Sequence, residues 1–504
     1  MNSRISQILY SKPILLFFLI VFIQPLHAQD RPNVLLIISD DLNTDIGPYM
    51  DIMNHTPNLD RLADEGVSFA RAYSQYPVCG PSRSSLMSGL YPETNGVTDN
   101  GFKGVSYRQL NPDLSDHPTI AGFFREQGYY TARVSKIFHM GVPGGIERGS
   151  AGDDDPDSWD YAYNVMGPET VSDGKLEQLS PMNDHYGGNF SRMILPNDLA
   201  HTQTDYLAAS QAIAILENRV GKIPENATQR LRLKTDSPFF LAVGFVRPHV
   251  PLIAPERDFK PYPEQEMELP AVKVGENVPE EALRRQNDNV FGMSETQKKQ
   301  VISAYMASVR FMDAQVGRLL DALDRLEVRD ETIVIFVSDH GYNLGEHDTW
   351  SKISLWEGSI RVPLIFSVPG DDFESNYGTE SDIITELIDL YPTLTDLANF
   401  SDRSPEILQG KSLLDHIKGD PQSSNGDIAY TISYQGNAAS IRTDRWRYTR
   451  WGEEIEDDNE ELYDHHNDPE EHVNLADHSN HPEILEKLRE LFDKKRRLAQ
   501  ESPF

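Results

Sequence analysis

The chain has 504 residues, 38% of them hydrophobic and 25% charged, enough to bury a sizeable core in more than one domain. Its 79 acidic residues outnumber its 46 basic ones, for a formal charge of −33, a profile that argues against binding nucleic acid through its phosphates. A single cysteine, Cys79, excludes an internal disulfide.

In chain order, residues 1–28 read as an export signal. Arg4 and Lys12 supply a positive flank, residues 14–23 an apolar run, and Leu26-His27-Ala28 a small-residue cleavage site. The other reading, an uncleaved membrane anchor, asks a short run to span a bilayer. No cysteine near the cleavage site offers a lipid attachment, and no later segment is apolar enough to cross a membrane. Export without disulfides suits a bacterial periplasm or the medium.

Residues 33–41, N-V-L-L-I-I-S-D-D, and 332–341, T-I-V-I-F-V-S-D-H-G, share a design: a continuous apolar run, then Ser-Asp and one more metal-capable residue. Such runs are buried strands of a parallel sheet. Ligands of open α/β sheets gather beyond the carboxyl ends of the strands, so Asp40, Asp41, Asp339 and His340 are expected at one sheet edge. Singly, each pair also reads as a turn or helix cap. Together, three carboxylates repel unless a cation lies between them, and an oxygen-rich set favours a hard cation such as Ca²⁺ or Mg²⁺.

Between these ends, helices at 57–65, 116–127 and 296–326 alternate with strands at 130–134 and 238–246, the pattern of an α/β sandwich. Residues 142–200 and 255–290 read as long loop excursions. Residues 419–426 read as a linker between a catalytic domain at 29–418 and a small α/β domain at 427–504. In the latter, 429–434 and 438–451 are strand-like, the acidic stretch after Trp451 reads as a solvated loop, and 483–499 as a docked helix.

Cys79 stands in P-V-C-G-P-S-R-S-S-L-M-S-G, where Pro81 suits the first turn of a helix. A helix N-terminus favours a thiolate, whereas a lone cysteine elsewhere is commonly buried and inert. The segment C-G-P-S-R resembles the C-x-P-S-R signature of type I sulfatases, and the likeness continues through S-S-L-M-S-G-L-Y-P. V-L-L-I-I-S-D-D and V-S-D-H-G-Y-N-L-G-E-H resemble that family's metal-binding segments. S-K-I-F-H at 135–139, R-P-H-V-P at 247–251 and W-S-K at 350–352 resemble its Lys-His, His and Lys elements. G-E-H-D-T-W-S-K followed by R-V-P-L-I-F-S-V-P-G is similar to the iduronate-2-sulfatase branch and its bacterial polysaccharide-degrading relatives.

The resemblance implies an alkaline-phosphatase-like α/β/α sandwich with a smaller C-terminal α/β domain. It implies that a formylglycine-generating maturation enzyme oxidises Cys79 to an aldehyde, whose hydrate attacks sulfur. Asp40, Asp41, Asp339 and His340 would hold Ca²⁺ together with the modified Cys79, and Arg83 would steady the hydrate and the carboxylates. Lys136 and Lys352 would bind sulfate oxygens. His139 would take the proton that re-forms the aldehyde, and His249 would protonate the leaving oxygen, with Lys352 as its helper. The implied substrate is a sulfated oligosaccharide, exo-cleaved at a 2-O-sulfated uronate or related sugar from an ulvan-type or glycosaminoglycan-type chain. Glu346 and His347 are expected behind the site, and Tyr342, Trp350 and Trp356 either in the sugar pocket or in the core. The rivals are a phosphatase or phosphodiesterase of the same superfamily, an inactive carbohydrate-binding relative, and a thiol hydrolase using unmodified Cys79.

Overall fold

The computed structural model describes residues 31–50, 55–101, 104–181, 188–219, 237–271, 274–275, 277–283, 288–420, 428–433, 437–452, 459–477 and 481–501. The segment read as an export signal, 1–28, and the part of the expected linker beyond residue 420 lie outside the described residues. Among those described, no helix is long and apolar enough to cross a membrane.

The strand Asn33–Asp40 lies at the heart of the main sheet, parallel to Thr332–Ser338 on one side and to Phe239–Pro248 on the other. Its side chains alternate between two cores, as a strand's must. Leu35 and Ile37 share a core with Val309, Val316 and Leu320 of the long helix Glu295–Arg325, while Val34, Leu36 and Ile38 share another with Leu86, Phe123 and Leu394. Burial on both faces is why the run carries no polar residue until Ser39. The sheet continues outward through Tyr130–Ser135 and Tyr161–Tyr163 on one flank and through Leu364–Ser367, Val67–Tyr73 and Arg361–Val362 on the other. Leu364–Ser367 runs antiparallel to both its neighbours, so the sheet is mixed, not purely parallel. The α/β/α sandwich stands as expected.

Three local expectations need correction. The helix predicted over 116–127 spans only Ile120–Glu126, because Thr119 caps it, its hydroxyl accepting from the Gly122 N–H at 3.0 Å. The 142–200 excursion is not all loop: Ser191–Leu195 forms a strand parallel to Leu252–Pro255. The acidic stretch read as solvated ends in a strand, Asn459–Asp464. There Glu461 is buried and accepts from Trp451 Nε1 at 2.6 Å and the Tyr463 hydroxyl at 2.6 Å.

That strand closes a four-stranded antiparallel sheet with Ala429–Ser433, Ala438–Arg442 and Trp446–Trp451, on which the helix Pro482–Gln500 docks through Leu485, Leu488 and Phe492. The small sheet shares cores with the large one: Tyr76, Tyr91 and Ile388 pack against Tyr430, Ile432 and Ile441.

Arg447 ties this junction electrostatically. Its guanidinium is buried and pairs with both Glu357 and Glu471. Burial alone would raise the Glu471 carboxyl, but Arg447 and His465 hold it at about 2, and Arg447 with Arg442 likewise holds Glu357 far below its ordinary value. A depressed carboxyl stabilises the fold fully above its unfolded value and loses that contribution as pH falls through its folded one. The junction should therefore weaken as pH falls from about 4.5 towards 2. Arg447→Met, which leaves Glu357 only Arg442 and Glu471 only His465 as ionic partners, is expected to cost about 3 kcal/mol in chemical denaturation at neutral pH and to flatten this acid limb. An unchanged denaturation midpoint would mean that the pairing contributes nothing.

Candidate active site

Register brings the two Ser-Asp ends together. Asn33 lies opposite Thr332 and Ser39 opposite Ser338, so Asp40 and Asp339 leave the sheet side by side. Asp41 follows with φ of 65°, a left-handed turn that aims its backbone N–H at Asp339 Oδ1, 3.2 Å away. Tyr305 from the long helix fixes this turn, donating its hydroxyl to the Asp41 carbonyl at 2.8 Å and accepting from the Asn43 N–H at 2.9 Å. Its only sequence signal was its position on the buried face of that helix.

The helix Cys79–Ser88 points its first residue at this edge. Cys79 is fully buried, with Sγ 3.4 Å from His340 Nε2, 3.3 Å from Lys352 Nζ and 3.9 Å from Asp41 Oδ1. Burial, then the Asp40 carboxylate, pushes the thiol well up from its ordinary range. The helix-start argument for a thiolate is thus outweighed, and the residue is poorly set to act as a thiol nucleophile.

One turn on, Arg83 is entirely enclosed. It donates from Nε to Asp339 Oδ2 at 2.7 Å and from one terminal nitrogen to the Lys136 and Ile137 carbonyls at 2.6 and 3.1 Å. Its other terminal nitrogen reaches Asp40 Oδ1 at 3.4 Å. Lys136 is equally buried, and its Nζ donates to Asp40 Oδ2. The chain reaches Lys136 through Ser135 at φ of 63° and then presses on Gly244 of the neighbouring strand: a Cβ there would lie 1.9 Å from the Lys136 carbonyl oxygen. Only glycine allows this approach. His139 follows, buried, with its basicity lowered first by burial and then by Lys136.

Lys352 arrives from the other side, on a short ribbon pairing Asn343–Leu344 with Trp350–Ser351. Its Nζ donates to Asp41 Oδ1 at 2.7 Å. Ser351 and Ile353 both have positive φ, at 75° and 83°, and for a β-branched isoleucine that is strain. The tip is held because Ile353 donates its N–H to the Pro77 carbonyl at 3.2 Å and accepts from the Ser433 hydroxyl of the small sheet at 3.1 Å.

The two remaining histidines present matching faces. His340 Nδ1 lies 2.8 Å from the Gly341 carbonyl and His249 Nδ1 lies 2.6 Å from the Val250 carbonyl. A carbonyl only accepts, so each Nδ1 carries hydrogen, and a ring with no second proton turns its Nε2 lone pair toward the cluster. His249 Nε2 is 3.9 Å from Asp41 Oδ2, and burial pushes His249 down to about 4.

The sequence-predicted residues thus converge. One ligand atom each from Asp40, Cys79, Asp339 and His340 lies within 4.8 Å of the others, and so does a second set of Asp41, Cys79 and His249. Asp41 Oδ2 is buried without a hydrogen-bond partner. Carboxylate oxygens, an imidazole lone pair and an orphaned buried oxygen are the donors that a hard divalent cation takes, so the residues fit Ca²⁺ or Mg²⁺. Without an ion, Asp40, Asp41 and Asp339 balance Arg83, Lys136 and Lys352; a divalent cation would make the pocket net positive, suited to an anionic ester inside an acidic body. Burial would raise the Asp40 and Asp41 carboxyls, but Lys136 foremost holds Asp40 down, and His249 and Lys352 hold Asp41 down.

The aromatic candidates went to the core instead. Tyr342 stacks on Tyr305, Trp350 packs edge-on to Phe190, and Trp356 stacks on His347 at 4.4 Å, all three at most 3% exposed. Glu346 turns back to accept from the Leu344 N–H at 2.6 Å.

Comparison with known proteins adds to this geometry. The family model described as Sulfatase matches residues 32–400, and that described as N-sulphoglucosamine sulphohydrolase, C-terminal, matches residues 345–498. A Formosa agariphila protein named sulfatase is 31% identical over 475 residues, covering 92% of this chain and 87% of its own. Human iduronate 2-sulfatase is 34% identical over 442 residues, covering 78% of this chain and 75% of its own. The solved structure of a 2-O GAG sulfatase superposes with a TM-score of 0.68 at 23% identity, covering 94% of this chain and 93% of that one; it bears on the fold alone.

Proposed function

The chain belongs to the sulfatase family of sulfuric ester hydrolases, and from that premise we propose that it removes 2-O-sulfate from a uronate or related sugar at the end of an oligosaccharide, using a formylglycine made from Cys79 and a bound Ca²⁺. The observation that carries this reading is the enclosure of Cys79 by carboxylates, His340 and Lys352 at the carboxyl edge of the sheet. The hydrated aldehyde would supply one hydroxyl to displace the sugar alcohol from sulfur and a second whose deprotonation expels sulfate. The cation, held by Asp40, Asp41, Asp339 and His340, would supply charge to polarise the sulfate.

This chain's own side chains do the rest. Arg83 orients Asp339 through a hydrogen bond from Nε and steadies Asp40 through a terminal nitrogen. Lys136 and Lys352 supply point charges for sulfate oxygens. His139, kept neutral, is suited to accept a proton. His249, with its Nε2 face toward the cluster, is suited to exchange one with the leaving oxygen, and the approach of an anionic ester raises its proton affinity. The 2-O-sulfated uronate rests on likeness to the protein named iduronate 2-sulfatase. The parent polymer would be of glycosaminoglycan type or of ulvan type, the latter offering sulfated rhamnose or xylose beside its uronates as the related sugar. Export through residues 1–28, and a division into a catalytic unit at 29–418 and a small unit at 427–504, belong to the same proposal.

Inorganic sulfate release from size-defined oligosaccharides tests it. Terminal 2-O-sulfated uronates should be desulfated, and their 6-O-sulfated or internally sulfated counterparts should be at least about 100-fold poorer in kcat/KM, as expected when substrate hydroxyl and sulfate contacts are left unpaired. Faster hydrolysis of phosphodiesters than of any sulfated sugar would contradict the reading.

A further inference from the structure

In R-P-H-V-P the arginine has no role in the reading above, yet Arg247 is only 2% exposed. One terminal nitrogen donates to the His249 carbonyl at 2.9 Å, the other to Glu169 Oε2 at 2.5 Å. Glu169 is fully buried, sits at φ of 34°, and belongs to the 142–200 excursion; its second oxygen accepts from the Thr204 hydroxyl. Asp205, next in sequence, accepts from the Val246 and Arg247 N–H groups at 2.8 and 3.0 Å. The Ser39 hydroxyl holds the Arg247 carbonyl at 2.8 Å, and the His249 N–H closes on the Val246 carbonyl at 2.9 Å.

The turn that carries the His249 imidazole is thus held by side chains from three separate segments. Each is buried, where a hydrogen bond to a charged group is strong and an unpaired one costly. None of Glu169, Arg247 or Asp205 reaches Cys79 or the predicted cation ligands through any contact given above. Arg247 reaches the His249 carbonyl, Asp205 the Val246 and Arg247 N–H groups, and Glu169 holds the Arg247 guanidinium from behind.

We propose that Glu169 and Arg247 are positioning residues for His249, a splint through which the 142–200 excursion sets the imidazole's angle toward the leaving oxygen. The proposal rests on the proton-transfer role given to His249, and the test separates the two. Glu169→Gln keeps the shape and removes the charge; Arg247→Lys keeps the charge and removes the two-pronged fork. Each is expected to lower kcat on the sulfated oligosaccharide by about 10–100-fold with KM within about two-fold, the cost of a misaimed catalytic group. Combined with His249→Gln, neither should lower kcat further, because the group they aim is gone. A variant that loosened the whole site would instead depress kcat again in the His249→Gln background, and that result would overturn the proposal. So would a KM rise without loss of kcat. Should Glu169→Gln fail to fold by circular dichroism, Thr204→Val, which removes only the hydroxyl on the other oxygen of Glu169, should give a smaller loss with the same non-additivity; an additive loss there would overturn it equally. If His249→Gln alone retains full kcat, the role of His249 fails, independently of the splint.

Discussion

Cys79→Ser protein is expected to react once with a sulfated sugar and then stop. A serine hydroxyl in the same place can attack sulfur, but it lacks the second hydroxyl whose deprotonation releases sulfate. The surroundings of the side chain change little, since Sγ is enclosed by His340, Lys352 and Asp41 and a hydroxyl fits the same space. Steady-state turnover should fall by roughly 1,000-fold or more, the scale of losing a covalent nucleophile. Mass spectrometry should find sulfate esterified to residue 79 after incubation with substrate. Cys79→Ala should be equally slow and carry no sulfate. A serine variant that turns over freely would fit a mechanism in which a single hydroxyl suffices, as in the phosphatase rivals.

The second large effect is expected at Asp339. Its two oxygens hold Arg83 Nε at 2.7 Å and the Asp41 and His340 N–H groups at 3.2 and 3.0 Å. Asp339→Asn removes one of three carboxylates from a set that also contains three cationic side chains, so the bare pocket becomes net positive before any ion arrives. Divalent-cation affinity should drop, and kcat/KM should fall by roughly 100-fold or more as sulfate loses its strongest charge partner. Elemental analysis should find Ca²⁺ or Mg²⁺ near one equivalent in the unmutated protein and much less in the variant. Chelation should abolish activity of the unmutated protein and the cation should restore it. Full activity in the chelated protein would remove the cation from the mechanism.

Much of this site was legible because it hangs from regular structure. The Ser-Asp ends of two apolar runs became neighbours through simple parallel register, and the start of the Cys79 helix pointed to the same edge. Lys352 was reached only by likeness to a family segment, since its ribbon relies on positive φ at Ser351 and Ile353, which no propensity announces. Tyr342, Trp350 and Trp356 stayed open between pocket and core because large aromatics serve both; partners such as Tyr305, Phe190 and His347 come from distant or locally folded segments that periodicity does not bring together. The splint on His249 was missed for the same reason. Glu169 lies in an irregular excursion nearly 80 residues before Arg247, and only the fold pairs them. A basic residue directly before Pro-His, in a strand otherwise apolar, was the signal that could have flagged Arg247. The strand Asn459–Asp464 was hidden by its charge, because Glu461 is satisfied by the Tyr463 phenol of its own strand and by two indoles, Trp451 and Trp356, that come from other segments.

The most direct single measurement is peptide mass spectrometry of the segment carrying residue 79, on protein co-expressed with a formylglycine-generating enzyme. The expected result is an aldehyde in place of the thiol, with sulfate release from sulfated oligosaccharides rising in proportion to the fraction converted. An intact Cys79 thiol in fully active protein, alongside a converted control sulfatase from the same cells, would contradict a formylglycine mechanism.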